Sequence, residues 1–115
     1  MEKTIRIGNA DVKFKATALT PRLYRAKVGR DMISDLMQLQ DALKNRQDGV
    51  SFSALDLEIF ENVAYIMAKQ ADATVPATAE EWLDTFEVFS VYRILPQLLE
   101  LWGENTKITA VPKNA

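Results

Sequence analysis

The 115-residue sequence predicts an α+β fold, mainly α, in which an N-terminal β-hairpin packs on four or five helices. Residues 4–16 alternate apolar and polar side chains, which is the period of a half-buried strand. Later stretches carry apolar residues at helical spacing, behind residues that typically begin helices. A chain of this length fits one domain. We therefore expect a single globular domain over residues 1–104 and a flexible C-terminal tail over 105–115.

The hairpin is predicted to have strands at 4–8 and 12–16, joined by residues with turn chemistry. If residues 9–10 form a two-residue turn, Arg6 lies opposite Lys13, and like charges in that position are mildly destabilising. A pair of strands is marginal in water. The hairpin therefore needs a helix behind it, and its open edge is available to another strand.

The next stretch begins with a clear helix signal, because Thr20 can cap a helix and Pro21 suits its first position. Gly29 can end that helix, and Asp31 then has the position of a new cap. The sequence leaves open whether residues 21–45 form one kinked helix or two.

Further boundaries follow from the same rules. Ser53 and Asp56 are predicted to open the following helix, and Gly103 is predicted to end the last one. The segment at 106–111 is a candidate third strand for the hairpin, in the same molecule or in a neighbour.

The segment at 78–102 is rich in aromatic residues and contains both tryptophans. Thr78 and Glu81 have the spacing of a capping box, and apolar residues then recur at helical spacing through Phe89. A second apolar run follows, and Pro96 falls inside it. There the proline predicts a kink, or a helix that starts only at that residue.

These aromatic runs have two interpretations. Apolar stripes of helices usually face a core, but large exposed apolar patches usually mark partner sites. The candidate partner-binding side chains, if they are exposed, are Trp82, Phe86, Tyr92 and Trp102. Methionine-rich surfaces also suit promiscuous binding; the candidates are Met32, Met37 and Met67, for which core filling is the simpler interpretation.

The charge is unevenly distributed around a formal net charge of −2. Residues 1–50 hold ten Lys/Arg against six Asp/Glu, a balance of +4, and residues 51–115 hold four against ten, a balance of −6. The basic half could bind nucleic acid, although a sequence pI near 5.1 argues against it. It could instead meet the acidic half of another copy, with Arg6 and Lys13 at the interface. A mixed surface is the simplest explanation.

Little in the sequence points to catalysis. The chain has no cysteine and no histidine, so thiolate chemistry and the commonest general base and metal ligand are missing. Glu80 and Asp84 share a helix face, but negative charge in a first turn is explained by the helix dipole. We expect no enzyme, no cofactor and no metal. No apolar run approaches a membrane span, and we expect a cytoplasmic, soluble protein that binds neither membrane nor nucleic acid.

The chain resembles the tail assembly chaperones of long-tailed bacteriophages and prophages of Gram-positive bacteria. The resemblance covers nearly the whole chain, and its most specific part is EEWLDTF with the downstream ILPQLLELW. The matching features are TIRIGNADVKFKAT, TPRLYRAKVGRDMISDL, EEWLDTF and VYRILPQLLELWG.

This resemblance implies a protein that binds the tape-measure protein and keeps it soluble until tail-tube subunits assemble around it. The implied partner is the tape-measure protein, and the tail-tube protein is a further candidate. Self-association is expected from the charge distribution and the open edge of the hairpin. The implied location is the host cytoplasm, and the mature virion would lack the protein. The family has no catalytic motif, and it commonly adds a longer product by translational frameshifting. This chain would resemble the short form, with TKITAVPKNA near the point of extension. The alternative is a structural tail or head–tail connector subunit that stays in the virion.

Overall fold

The computed structural model describes residues 1–45, 53–87 and 90–110, with side chains for 1–43, 53–87 and 90–102. Within these ranges the chain forms an antiparallel hairpin and five α-helices, which confirms the predicted α+β, mainly α class. The strands are β1 (Glu2–Ile7) and β2 (Ala10–Lys15). The helices are α1 (Thr20–Val28), α2 (Met32–Asn45), α3 (Ala54–Ala71), α4 (Ala79–Leu83) and α5 (Leu95–Ala110), with a 3₁₀ turn (Tyr92–Ile94) before α5.

The hairpin turn lies at residues 8–9, one position earlier than the predicted turn. Gly8 has a φ of 63°, a conformation that glycine adopts without steric cost. The shift places Arg6 opposite Asp11 instead of Lys13. Arg6 Nη1 lies 3.2 Å from Asp11 Oδ1, so an attractive pair replaces the predicted repulsion.

Helix α3 is the centre of the fold, because it packs against β2, α1, α2 and α4. The inner face of the hairpin buries Ile5, Ile7 and Phe14. A pair of strands alone is marginal in water, and this packing supplies the helix that the hairpin requires. The buried residues of α3 include Ile59, Phe60, Val63, Ala64, Tyr65, Ile66 and Met67.

Residues 20–45 form two helices, which settles the question that the sequence left open. Gly29 ends α1 in the left-handed conformation, with a φ of 82°, and its N–H donates to the Arg25 carbonyl. Asp31 caps α2 as predicted: its Oδ1 accepts a hydrogen bond of 3.2 Å from the Ile33 N–H. Residues 29–31 therefore end one helix and begin the next.

Thr20 does not cap α1, because the cap position belongs to Leu19. Thr20 is instead buried in the first turn, where its hydroxyl donates to Gln70 Oε1 at 2.5 Å. Gln70 Nε2 donates in turn to Thr17 Oγ1 at 2.8 Å. This network joins the segment after β2 to the end of α3, a long-range role that local sequence signals do not reveal.

The two other predicted caps are present. Ser53 and Asp56 form a complete capping box, with both side chain-to-backbone bonds at 3.0 Å. Thr78 Oγ1 accepts a bond of 3.2 Å from the Glu81 N–H. The Thr78 hydroxyl also donates to the Glu81 carboxylate at 3.0 Å, where a capping box would have a bond to the backbone.

The aromatic segment is less regular than predicted. Helix α4 ends at Leu83, well before Phe89, which lies outside the described residues. Helix α5 begins at Leu95 with Pro96 in its first turn, where the missing N–H of proline has no helical partner to lose. The helix therefore starts one residue before Pro96, where the second predicted alternative had placed its start.

Helix α5 continues through Gly103 to Ala110, so the predicted end at Gly103 is wrong. Residues 106–110 are helical and do not add a strand to the hairpin. The predicted tail at 105–115 begins inside this helix, and residues 111–115 lie outside the described part of the chain.

A polar cluster around the buried Asp35 joins α1 to α2. Arg30 Nε and Nη2 donate to the two carboxylate oxygens of Asp35 at 2.9 and 2.8 Å. The Tyr24 hydroxyl donates to Asp35 Oδ2 at 2.7 Å. The Arg30 hydrogen bonds hold the pKa of Asp35 below its ordinary value of 3.8, against the opposing effect of burial. Burial, with the Asp35 carboxylate beside it, raises the pKa of Tyr24.

We expect the protein to lose stability in acid because of such carboxylates. The pKa of Asp35 is lowered by Arg30, and the pKa of Asp56 is lowered by a hydrogen bond from Gln38. Their stabilising contribution is complete above the ordinary pKa of 3.8 and is lost as the pH falls through the lower folded-state pKa. Urea unfolding between about pH 5 and pH 2 should show the decrease. Asp35→Asn should flatten it, and an unchanged pH slope in this variant would contradict the assignment.

Candidate partner-binding surface

A groove of about 260 Å³ lies between α1 and α3. We call it the α1–α3 groove. Its lining is an apolar floor bordered by two lysines, with no acidic side chain: Leu23, Lys27, Tyr65, Ile66, Lys69 and Gln70. Concave apolar surfaces with a few placed polar groups are the usual form of a binding site.

The polar border of the groove is held by the loop that follows α3. Lys69 Nζ donates to two carbonyls of residues 73–77 at 2.6 and 2.9 Å, and Lys27 Nζ donates to a third at 2.8 Å. The Tyr65 hydroxyl donates to a fourth at 2.6 Å. Among the described side chains, neither lysine has a carboxylate within 4.0 Å. The border therefore carries two positive charges that make hydrogen bonds to backbone carbonyls instead of close ion pairs in the described part of the chain.

The apolar floor extends along α1 beyond the groove. Leu19 lies one helical turn before Leu23 and is 49% exposed. Leu19 lies between Thr17 and Thr20, and the side chains of both threonines form hydrogen bonds with Gln70. Leu19, Leu23 and Lys27 thus form one stripe at i, i+4 and i+8. Such a stripe beside α3 fits an amphipathic helix whose apolar side chains enter the groove and whose acidic side chains meet the lysines.

Trp82, the first of the sequence-predicted partner residues, belongs to the core. It is 3% exposed. Its ring centroid lies 5.1 Å from Phe86, 6.0 Å from Tyr65 and 6.4 Å from Phe14. Two of these contacts are edge-to-face, a favourable aromatic geometry. The condition for assigning Trp82 to partner binding, its exposure, is not met.

The other three aromatic candidates are partly buried against the core. Phe86 borders a second cavity, beside the hairpin turn. The Tyr92 hydroxyl donates to a Glu61 carboxylate oxygen at 2.5 Å, which raises the pKa of Tyr92 to about 12. Trp102 lies in α5. These positions distribute the candidates over several elements, and they do not form one exposed aromatic patch.

Arg6 and Lys13 are both exposed on the outward face of the hairpin. Arg6 pairs with Asp11, and Lys13 lies opposite Thr4. The two cations are diagonal neighbours on this face. They are therefore available for contact with another molecule.

The methionine candidates divide between core and surface. Met32 and Met67 are fully buried, whereas Met37 is 60% exposed. Ile33, also exposed, lies one turn before Met37 on α2. Sequence reasoning did not single out Ile33, Leu19 or the groove. The sequence signal that could have indicated the groove is the i, i+4 spacing of Leu19 and Leu23 in a basic segment.

Two further observations concern metal binding and membrane crossing. Glu80 and Glu81 lie in the first turn of α4, and Asp84 follows it. Among the side chains that the structure describes, no group of three or more acidic residues is placed to hold a metal ion. In the same part of the chain, no helix combines the length and apolar character that crossing a membrane requires.

No protein family, curated protein or solved structure matches this chain.

Proposed function

We propose that this protein is a phage tail assembly chaperone that binds the tape-measure protein and keeps it soluble while tail-tube subunits assemble. The sequence resemblance supports this function. The structural observation that carries the proposal is the α1–α3 groove, with its apolar floor, its exposed neighbour Leu19 and its two lysines.

The groove acts by covering apolar surface of the client, so the proposed activity requires no catalytic group and no cofactor. A long helix with apolar side chains on one face aggregates unless that face is covered. The groove and its extension to Leu19 together span about two turns of α1, which corresponds to roughly 11 Å of a client helix. Each copy therefore covers a short segment, and many copies are needed along one tape-measure chain.

The small contact area explains how tail-tube subunits could replace the chaperone on its client. A groove of about 260 Å³ admits only a few side chains, so each contact is weak and reversible. Tail-tube subunits that enclose the client would displace the chaperone copies one at a time. The protein would then act in the host cytoplasm and be absent from the mature virion.

The alternative function is a structural tail or head–tail connector subunit. Such a subunit keeps permanent contacts and stays in the particle. Mass spectrometry of purified virions separates the two functions, because only the structural subunit would be present in stoichiometric amounts.

The chaperone function is tested by co-expressing this chain with the tape-measure protein of the same locus. We expect a soluble complex with several copies of this chain per client. Leu19→Asp should reduce the recovered client by about tenfold or more, because it places a charge in an apolar contact. Leu19 is about half exposed, and negative charge is favoured at the start of a helix, so this change should preserve the fold.

Leu55→Glu is the matched control. Leu55 is 43% exposed, close to the exposure of Leu19, but it lies in the first turn of α3, outside the groove. A glutamate there is favoured by the helix dipole, and client recovery should be unchanged. If wild type leaves the client insoluble, the chaperone function is wrong. If both variants retain the client, the groove is not its binding site.

A further inference from the structure

The outer edge of β1 has no strand beside it in the described part of the chain, where β1 pairs only with β2. Met1 and Ala16 exchange both backbone hydrogen bonds, at 3.0 and 2.8 Å. Hydrogen-bonded and non-bonded pairs alternate along an antiparallel ladder. The N–H and C=O groups of Glu2, Thr4 and Arg6 therefore point away from β2.

These outward groups are available for pairing. All three residues are exposed. Among the described residues, no backbone or side-chain hydrogen bond reaches the main-chain groups of Glu2, Thr4 or Arg6. An exposed row of unpaired N–H and C=O groups is a template for another strand.

The sequence along this edge is complementary to itself. An antiparallel second copy of β1, centred on Thr4, sets Thr4 opposite Thr4 and Glu2 opposite Arg6 of the other copy. The same register sets Arg6 opposite the other Glu2. If the register between the two β1 strands shifts by two residues in either direction, Thr4 lies opposite a charged residue and the Glu2–Arg6 pairs are lost. Opposite charges that face each other across strands stabilise the pairing.

We infer that two copies of this chain join through their β1 edges, across a two-fold axis at Thr4, to form a four-stranded antiparallel sheet. The three residue pairs make six backbone hydrogen bonds, two for each pair. Both hairpins keep their apolar faces toward their own helices, because the even-numbered residues of β1 all lie on the outward face. The contact is isologous, so it closes as a dimer.

The edge of β2 is the competing surface. Its outward backbone groups belong to Asp11, Lys13 and Lys15, and the register that pairs all three sets Lys13 opposite Lys13. Lys15 is also half-buried, whereas the three β1 residues are exposed. A β1-to-β2 contact between copies has compatible charges, but it is heterologous and leads to open-ended growth. The two arrangements make different predictions.

A proline at each edge distinguishes them. The N–H of Thr4 and the N–H of Lys13 both lie outside the hairpin ladder, so proline at either position removes no bond of the monomer. By sedimentation velocity over a concentration series, we expect wild type to dimerise. Thr4→Pro should weaken dimerisation at least about tenfold, and Lys13→Pro should leave it unchanged. Equal loss in both variants would indicate the heterologous contact and overturn the inference, as would a wild type that is monomeric throughout.

A charge complementation experiment is independent of any folding defect of the proline variants. Glu2→Arg places two arginines on the edge of β1, and Arg6→Glu places two glutamates there. Each variant alone should dimerise at least about tenfold more weakly than wild type. An equimolar mixture should recover a dimer that contains one chain of each kind, since every charged pair is then attractive. A mixture that is no more dimeric than its components would exclude the pairing. Neither experiment involves the tape-measure protein, so each result stands apart from the proposed function.

Discussion

Replacing Trp82 with alanine is expected to lower the free energy of unfolding by about 3–5 kcal/mol. The ring is 3% exposed and contacts Phe14, Tyr65 and Phe86. Its removal leaves a cavity where the hairpin, α3 and α4 meet, and these elements cannot all move inward together. Urea unfolding, followed by circular dichroism, measures the loss.

Trp82→Phe is the control for this prediction. It keeps an aromatic ring against the same neighbours and removes less volume, so we expect a loss of about 1–2 kcal/mol. If Trp82→Ala unfolds at the same urea concentration as wild type, Trp82 is not a core residue. The question of a partner-binding role for it would then reopen.

Asp35→Ala is expected to destabilise the protein by about 3 kcal/mol. The Asp35 side chain is 4% exposed, and it accepts hydrogen bonds from both Tyr24 and Arg30. Its loss leaves the Tyr24 hydroxyl buried without an acceptor. Arg30 is nearly half exposed, so its guanidinium can turn toward water, and this keeps the cost at the lower end for a buried pair.

Two further variants test that explanation by the same unfolding measurement. Tyr24→Phe removes one donor and leaves the ion pair intact, so we expect a loss of about 1 kcal/mol. Asp41→Ala changes an exposed aspartate on the same helix, and we expect a change within about 0.5 kcal/mol. If Asp35→Ala and Asp41→Ala have equal effects, the cluster does not stabilise the junction of α1 and α2.

The parts of the fold that follow local rules were predictable from sequence. Strand alternation predicted the hairpin, and Asp31, Ser53 and Thr78 cap helices as their positions indicate. Gly29 ends α1 because the left-handed conformation there favours glycine. Each of these signals acts within a few residues of the structure that it determines.

The differences from the predicted elements have both distant and local origins. Thr20 is a residue type that often caps helices. Its hydroxyl instead donates to Gln70, fifty positions away, and Thr20 lies inside the first turn of α1. The apolar spacing after Thr78 predicted a long helix, yet α4 ends at Leu83, and Thr85 donates back to the Trp82 carbonyl. Gly103 lies within α5, where glycine is tolerated at a cost of about 1 kcal/mol.

The candidate site was less predictable than the fold. Exposure separates partner residues from core residues, and an apolar stripe has the same spacing in both cases. Trp82 and Leu19 show the difficulty, because the more conspicuous residue is buried and the ordinary leucine is exposed. The α1–α3 groove also depends on how two helices that are distant in the sequence pack together, which no local pattern encodes.

The packing of the hairpin has a consequence for the order of events during synthesis. Phe14 is synthesised long before Trp82, its aromatic neighbour, and α3 begins only at Ala54. Two strands alone are marginal in water, so the hairpin gains its support only when these later residues have been made. Contacts between such distant residues also slow folding. Translation of the C-terminal half is therefore what allows the first sixteen residues to fold, and until then their apolar face is open to aggregation or to cellular chaperones.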